Sequence, residues 1–364
     1  MTPRKDHAAR IAHDVRGVAA LAVDGVVGVT GIVERMHATI ASIRAPIGPP
    51  HAKPARGIAG MVYRNIRGMA RGVGWGLDRA LAPLADALGP ASDPLQRAHL
   101  VAALNGVLGD RLAAAGNPLA IPMAIRQDDP GEPPRPRIAL FLHGLCMHDR
   151  QWPRGAGSAV AAVRALGYTP LYLHYNSGRA IADNGRDLSA ELDALLAAWP
   201  APPAELALVC HSMGGLVARS ACEHARQADA PWLDRLRHLV FLGTPHHGAV
   251  LERVGKRVDG LLGLSPYTAP FVALGGTRSA GIQDLGHGRV TADGSPAALP
   301  AGVACHAIAG TLRRGGDGLV SVASALAQRG PGLGPMDRRV ICNAGHLALL
   351  DHGEAVAAIE RWLA

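Results

Sequence analysis

The stretch Ala207–Arg219 constrains the fold of this chain more than any other. An apolar run with the length of a buried strand stops at Ser212, and apolar residues then recur at the three- and four-residue spacing of a helix. So tight a turn requires small neighbours, which Gly214 and Gly215 supply. The sequence therefore predicts a strand, a sharp turn and a helix, with Ser212 raised above the sheet edge as a candidate nucleophile.

One position departs from the G-x-S-x-G pattern of such turns, because Cys210 stands where the first glycine belongs. Cysteine is small, so we expect the turn to persist. The Ser212 hydroxyl would then lie at the amino terminus of a helix, where free backbone N–H groups stabilise developing negative charge. The alternative is a structural strand-to-helix turn whose serine takes no part in catalysis.

Charge and hydropathy restrict the partners of the chain. Its 364 residues carry a formal net charge of +8, but the basic residues are scattered and no aromatic platform is interleaved with them. Nucleic acid is therefore not an expected partner. The amino terminus lacks the uninterrupted apolar segment of a secretion signal, and no window has the length and hydropathy of a membrane span.

Cysteine usage indicates the redox compartment. The five cysteines are an odd number with no paired or C-x-x-C spacing. This pattern favours reduced thiols in a reducing compartment. We therefore expect a cytoplasmic protein.

Two long amphipathic helices are predicted near the amino terminus. Residues 10–41 and 57–88 carry apolar residues at steps of three and four, separated by a proline-rich connector. Both are rich in glycine, which lowers intrinsic helix stability, so they need packing to persist. Two interpretations stay open: a self-packed bundle or lid on the catalytic domain, and a hairpin at residues 10–90 that contacts a membrane or lipid surface peripherally.

A third helix is predicted near Asp93–Ala115, and a turn-rich linker at 116–137 follows it. The chain therefore divides into an N-terminal helical region with its linker, residues 1–130, and a catalytic domain, residues 131–364.

From Ile138 onward, short apolar runs alternate with helical segments, which is typical of a mostly parallel sheet with helices on both faces. The predicted fold class is thus α/β. Strands are predicted near 138–142, 169–174, 205–210, 238–242, 303–309 and 338–342, and helices near 155–166, 181–198, 214–227 and 352–363. The long gap between Leu242 and Val303 predicts a cap or lid insertion at about 248–300.

A nucleophilic serine needs a base to accept its proton, and the base needs a carboxylate to fix its tautomer. After a turn of this kind the order along the chain is serine, acid, histidine. His346 lies in a loop after the last predicted strand, and Asp317 follows the strand near 303–309 at its carboxyl end. We therefore predict Ser212 as nucleophile, His346 as general base and Asp317 as orienting acid.

Other residues compete for these roles. His238 and His306 lie in or beside strands, and His352 opens a helix. Asp337 precedes its strand and so belongs to the opposite sheet edge, while Asp351 is a weaker alternative. None of them fits the required order and position as well as the predicted set.

An oxyanion hole needs two backbone N–H donors. Met213, directly after the nucleophile, supplies one. Leu145, in the loop after strand 138–142, is the expected second donor, and Gly144 admits the close approach.

Two adjacent histidines could suggest a metal site. His246 and His247 have no third ligand at useful spacing, so a structural role is favoured for them. We predict no metal and no cofactor.

Several ordered motifs within residues 138–364 together resemble the α/β-hydrolase superfamily, in its bacterial lipase/esterase branch, which is also similar to GPI inositol-deacylase-like lipases. The motifs are Phe141-Leu-His-Gly, Tyr175-Asn-Ser-Gly-Arg with Asp183-Asn-Gly-Arg, Cys210-His-Ser-Met-Gly-Gly, Leu242-Gly-Thr-Pro-His-His-Gly, Asp317-Gly-Leu-Val and Gly345-His-Leu-Ala-Leu-Leu. The resemblance implies an α/β-hydrolase fold.

The resemblance also implies an activity. A member of this branch would be a serine hydrolase that cleaves carboxylic esters, including lipid or other apolar acyl esters, through an acyl-enzyme on Ser212. Two alternatives stay open. The same triad could transfer the acyl group to an alcohol or thiol, or the chain could be a catalytically silent member of the fold that binds lipid or a partner.

Overall fold

The computed structural model describes residues 95–128, 133–200, 205–249, 278–312, 315–328 and 333–364. The predicted helices at 10–41 and 57–88 lie outside the described residues, as does most of the predicted insertion.

The chain divides into two compact units. One comprises Met1–Pro94 with Ala114–Leu119, and the other comprises Leu95–Ala113 with Ala120–Ala364. The second unit contains the sheet and every predicted catalytic residue. The domain boundary at residue 130 stays a prediction.

Within the described residues a seven-stranded sheet has the order β1-β3-β2-β4-β5-β6-β7. The strands are β1 (Ala124–Arg126), β2 (Arg137–Leu142), β3 (Tyr168–His174), β4 (Glu205–His211), β5 (Leu236–Leu242), β6 (Ala304–Thr311) and β7 (Asp337–Cys342). All neighbours pair in parallel except β1, which runs antiparallel to β3. The six predicted strands are confirmed, and β1 is an addition.

The helices of this unit are α1 (Leu95–Ala114), α2 (Ala159–Ala165), α3 (Ile181–Ala198), α4 (Met213–Ala228), α5 (Ala280–His287), α6 (Val322–Ala325) and α7 (Gly353–Leu363). The helices predicted near 93–115, 155–166, 181–198, 214–227 and 352–363 are confirmed. Helix α5 lies in the described end of the predicted insertion.

Helices cover both faces of the sheet because its side chains alternate between two cores. Along β2, the side chains of Ile138 and Leu140 join a core with α3 and α4, whereas those of Ala139 and Phe141 join a core with α2 and α7. This mostly parallel, doubly wound sheet, with a serine turn between β4 and α4, has the α/β-hydrolase fold, as predicted.

The five cysteines are all unpaired thiols, and only Cys342 is exposed. Burial raises the pKa of the Cys146 thiol to about 12 and that of the Cys210 thiol well above its ordinary value. In the described ranges, no helix combines the length and the hydropathy needed to cross a membrane.

Candidate active site

The turn between β4 and α4 has the geometry that the sequence predicts. Ser212 adopts φ 54° and ψ −122° between the last residue of β4 and the first of α4. A positive φ in a residue other than glycine is sterically strained and persists only where the surroundings impose it. The Ser212 N–H donates to the Leu242 carbonyl at 2.9 Å, which ties the turn to β5. The fully buried Cys210 is therefore compatible with the turn.

Both glycines after the serine are required by close packing. A Cβ on Gly214 would lie 2.6 Å from the Leu142 carbonyl oxygen, and one on Gly215 would overlap the Thr244 side chain. The first turn of α4 thus packs directly against the carboxyl ends of β2 and β5. This packing fixes the direction in which the Ser212 turn leaves the sheet.

His346 and Asp317 form a buried pair at the same sheet edge. The distance between His346 Nδ1 and Asp317 Oδ2 is 2.7 Å. Asp317 Oδ1 also accepts the backbone N–H groups of Leu319 at 3.0 Å and Val320 at 2.8 Å. With Nδ1 donating to the carboxylate, the neutral imidazole would carry its lone pair on Nε2, which is the tautomer that the predicted base role requires.

The surroundings of Asp317 keep it ionised. Burial alone would raise the pKa of this carboxyl, but the hydrogen bond and charge of His346 and the two backbone donors outweigh burial, so the pKa lies below its ordinary value. At neutral pH the acid is therefore a carboxylate, the form that can orient His346 and stabilise its imidazolium.

Gly243 connects the serine turn to the histidine–acid pair. It follows Leu242, the acceptor of the Ser212 N–H, and has φ 61°. A Cβ at this position would lie 3.0 Å from His346 Nδ1 and 3.1 Å from Asp317 Oδ2. The three predicted catalytic residues thus surround the carboxyl end of β5. All three are buried: Ser212 is 7% exposed, Asp317 3% and His346 7%.

His211 is a further residue of the site that the sequence analysis does not single out. Its Nε2 lies 3.1 Å from the His346 carbonyl oxygen, and the two ring centroids are 4.7 Å apart. Burial, with the charge of His346 adding to it, lowers the pKa of His211 to about 3. His211 is therefore neutral at physiological pH, and its Nε2–H donates to the backbone of the residue that carries the base.

The two predicted oxyanion donors lie beside the serine turn. Met213 is the first residue of α4, where an N–H has no acceptor within its own helix. Leu145 lies in the loop after β2, and a Cβ on the preceding Gly144 would lie only 3.1 Å from Ser212 Cβ. The loop therefore runs directly past Ser212, while the donor roles of Met213 and Leu145 stay predictions.

The competing residues lie elsewhere. His238 Nδ1 is 3.5 Å from His306 Nε2, and His306 Nδ1 is 3.4 Å from Asp337 Oδ2. Asp337 is the first residue of β7. This cluster therefore lies at the amino edge of the sheet, opposite Ser212. His352 caps α7 through its side chain, and Asp351 is exposed.

His246 is a buried residue of the loop after β5. Its Nδ1 lies 3.5 Å from Arg219 Nη1, and its ring packs edge-on against Phe241 with centroids 4.7 Å apart. In the part of the chain that the structure describes, no group of three or more His, Cys, Asp or Glu side chains could hold a metal ion.

A family model described as a domain of unknown function (DUF7379) matches residues 117–273. No curated protein matches the sequence.

Several solved structures are similar to the chain. Mature lipase BlEst2 from Bacillus licheniformis is 18% identical, with a TM-score of 0.47 and coverage of 66% of this chain and 98% of that one. Phospholipase PlaB from Legionella pneumophila is 16% identical, with a TM-score of 0.46 and coverage of 62% of this chain and 59% of the phospholipase. The Pyrococcus furiosus esterase PF2001 is 17% identical, with a TM-score of 0.42 and coverage of 67% of this chain and 86% of the esterase.

Proposed function

We propose that this protein is a serine hydrolase that cleaves carboxylic esters through an acyl-enzyme on Ser212. The observation that carries the proposal is the buried His346–Asp317 pair, 2.7 Å between Nδ1 and Oδ2, at the sheet edge where Ser212 is held at a strained φ of 54°. A nucleophile on such a turn, followed along the chain by an acid and a histidine, is the arrangement that acyl transfer needs.

In the proposed reaction, Ser212 Oγ attacks the ester carbonyl carbon while His346 Nε2 accepts the hydroxyl proton. Asp317 stabilises the resulting imidazolium, and the N–H groups of Met213 and Leu145 bind the oxyanion. His346 then gives the proton to the leaving alcohol. Water, activated by the same base, attacks the acyl-enzyme and releases the acid, so no cofactor is needed.

We further propose that the acyl group is apolar, as in lipid esters. Two large apolar side chains are exposed on the loops that carry the pair: Leu347, directly after His346, is 48% exposed, and Leu312, directly after β6, is 44% exposed. Exposed apolar side chains around a reactive group favour contact with an apolar ligand.

Labelling with a fluorophosphonate probe tests the proposed function. The wild type should be labelled and should hydrolyse p-nitrophenyl butyrate, whereas Ser212→Ala should do neither. Ser220→Ala is a matched control, because Ser220 is a buried serine of α4, the helix that follows Ser212, and its hydroxyl has no hydrogen-bond partner among the described residues. Labelling of Ser212→Ala at the wild-type rate would overturn the assignment.

The fate of the acyl group tests the alternative reaction. When ethanol or glycerol is added, a hydrolase should still release mainly the free acid. A product consisting mainly of the new ester, at low alcohol concentration, would identify an acyltransferase on the same triad.

A further inference from the structure

The loop after β2, which carries Leu145, is held by Ser177, a residue of the loop after β3. Cys146, directly after Leu145, has φ 58°, a strained value for a residue other than glycine. Its N–H belongs to the peptide that joins the two residues and donates to Ser177 Oγ at 3.0 Å. Ser177 is almost fully buried. The hydroxyl of Ser177 therefore fixes the peptide next to the expected oxyanion donor.

Asn176 in turn fixes the main chain around Ser177. Its Oδ1 accepts the Gly178 N–H at 3.0 Å, and its carbonyl oxygen accepts Asn184 Nδ2 at 2.9 Å. Its own Nδ2 donates to the carbonyl oxygen of Gly109, in α1, at 2.9 Å. Asn176, the residue before Ser177, is buried, and these three bonds fix it to Gly178, Asn184 and Gly109.

Helix α1 approaches this loop through glycines. A Cβ on Gly109 would overlap the Asn176 side-chain amide, and one on Gly106 would overlap Cys146 Sγ. Glycine inside a helix is less stable than alanine, so these glycines are unfavourable for α1 by itself. They are required by the closeness with which α1 packs against the two loops.

The start of α5, which lies within the predicted insertion, is attached to the same turn of α1. Ser279 Oγ donates to the Gly106 carbonyl oxygen at 2.7 Å, and the Ala280 N–H donates to Asp110 Oδ2 at 3.0 Å. One turn of α1 thus restrains both the loop after β3 and the start of α5.

We propose that Ser177 and Asn176, supported by Gly109 of α1, are positioning residues that hold the Leu145 N–H where the oxyanion forms. The inference rests on the proposed function, because an oxyanion hole has a purpose only in acyl transfer. Donors that are fixed before the reaction stabilise the transition state without reorganising during it. The substrate's ground state gains less from them, so kcat should depend on these residues more than KM.

Removing the Ser177 hydroxyl tests the first contact. In Ser177→Ala, kcat for p-nitrophenyl butyrate, per site labelled by a fluorophosphonate, should fall by about 10-fold or more while KM stays within about 2-fold. Ser189→Ala is the matched control, because Ser189 Oγ is also a buried acceptor, of Trp232 Nε1 at 3.0 Å, on the outer helix α3. Its kcat per labelled site should equal that of the wild type. An equal kcat in Ser177→Ala would overturn the proposal.

A second variant tests the contribution of α1. Gly109→Ala should lower kcat with little change in KM, although alanine by itself favours the helix. Gly353→Ala is the control, because a Cβ on that helical glycine would meet nothing within 4 Å. Wild-type kcat in Gly109→Ala would show that α1 does not support the loop.

Amide hydrogen exchange separates this inference from the proposed function. Exchange at the Met147 N–H, which donates to the Gly144 carbonyl oxygen within the same loop at 3.3 Å, should become faster in Ser177→Ala and Gly109→Ala but not in Ser189→Ala. Unchanged exchange would overturn the positioning role whatever the activity. If the wild type neither hydrolyses esters nor reacts with the probe, the proposed function fails, and faster exchange would then support only the restraint of the loop.

Discussion

His346 and Asp317 are joined by two hydrogen bonds, one between side chains and one between backbones. Besides the 2.7 Å contact of Nδ1 with Oδ2, the His346 N–H donates to the Asp317 carbonyl oxygen at 3.0 Å. The loops after β6 and β7 are therefore linked directly, and the backbone bond holds the two residues side by side so that the imidazole lies within reach of its acid.

Replacing Asp317 by asparagine should reduce activity severely while keeping the shape of the site. The amide carries no charge to stabilise the imidazolium and can hold the wrong tautomer of His346, so kcat should fall by about 10⁴-fold. The measurement is p-nitrophenyl butyrate hydrolysis. Asp337→Asn alters the other histidine–acid pair, at the amino edge of the sheet, and should leave kcat near wild type. A similar loss in both variants would contradict the assignment.

His211 should contribute through its contact with the His346 backbone. His211→Phe keeps a ring but removes the Nε2 donor, so kcat should fall by roughly 5- to 30-fold, as for the loss of about 1–2 kcal/mol. His211→Gln, whose amide can donate to the same carbonyl, should lose less. Equal losses in the two variants would show that the ring, and not its hydrogen bond, is what matters.

The protein should lose stability as the pH falls below about 6.5. Burial lowers the pKa values of His143 and His211 from 6.5 to about 3. Between these values the unfolded chain binds protons that the folded chain does not, so unfolding is favoured as pH decreases. Each histidine should contribute up to about 1.4 kcal/mol per pH unit in that range.

Urea denaturation at several pH values between 7.5 and 4.5 measures this slope. His211→Gln removes one of the two groups and should show a shallower dependence than the wild type. A free energy of unfolding that stays constant over this range would contradict the prediction.

The strain at Ser212 should be measurable as stability. Ser212→Gly accepts a φ of 54° without a steric penalty, whereas Ser212→Ala does not. The glycine variant should therefore be more stable than the alanine variant by about 1 kcal/mol, and both should be inactive. Thermal melting of the two proteins compares them, and a less stable glycine variant would argue against strain at the turn.

The region before the sheet should separate into two parts with different roles. A chain starting at residue 95 keeps α1, and we expect it to hydrolyse short water-soluble esters. If residues 10–90 contact lipid, which is one of the two interpretations that the sequence leaves open, this chain should also bind anionic vesicles less well than the full chain. A chain starting at residue 116 lacks α1 and should lose hydrolysis. Vesicle binding equal to that of the full chain would exclude the lipid-contact interpretation of residues 10–90.

The parts of the fold that could be predicted are those with a strong local pattern. Buried central strands are continuous apolar runs, and the Ser212 turn is marked by its neighbouring glycines. Strand β1 has three half-buried residues, Ala124–Arg126, in a segment rich in turn-forming residues, so its pattern is too short to detect. Its pairing with β3 depends on residues far away in the sequence.

The supporting residues of the site could not be predicted for the same reason. His211 contacts the carbonyl of a residue 135 positions away, and Ser177 contacts Cys146 across 31 positions. Such contacts exist only after the sheet brings the loops together. The sequence indicates candidates for the groups that react, because their chemistry restricts the residue type. Many polar residues, by contrast, can serve as a supporting hydrogen-bond partner.

The distribution of thiols has a practical consequence for observing this protein at work. Cys210, Cys222 and Cys305 are buried, and Cys146 is only partly exposed. Burial raises the pKa of each of these four thiols, and a neutral thiol reacts slowly with alkylating reagents. The exposed Cys342 ends β7, four residues before His346. Cys342 is thus one attachment point for a maleimide fluorophore beside the candidate active site, and no engineered cysteine is needed. The emission of the fluorophore would report on ligands that arrive at the carboxyl edge of the sheet.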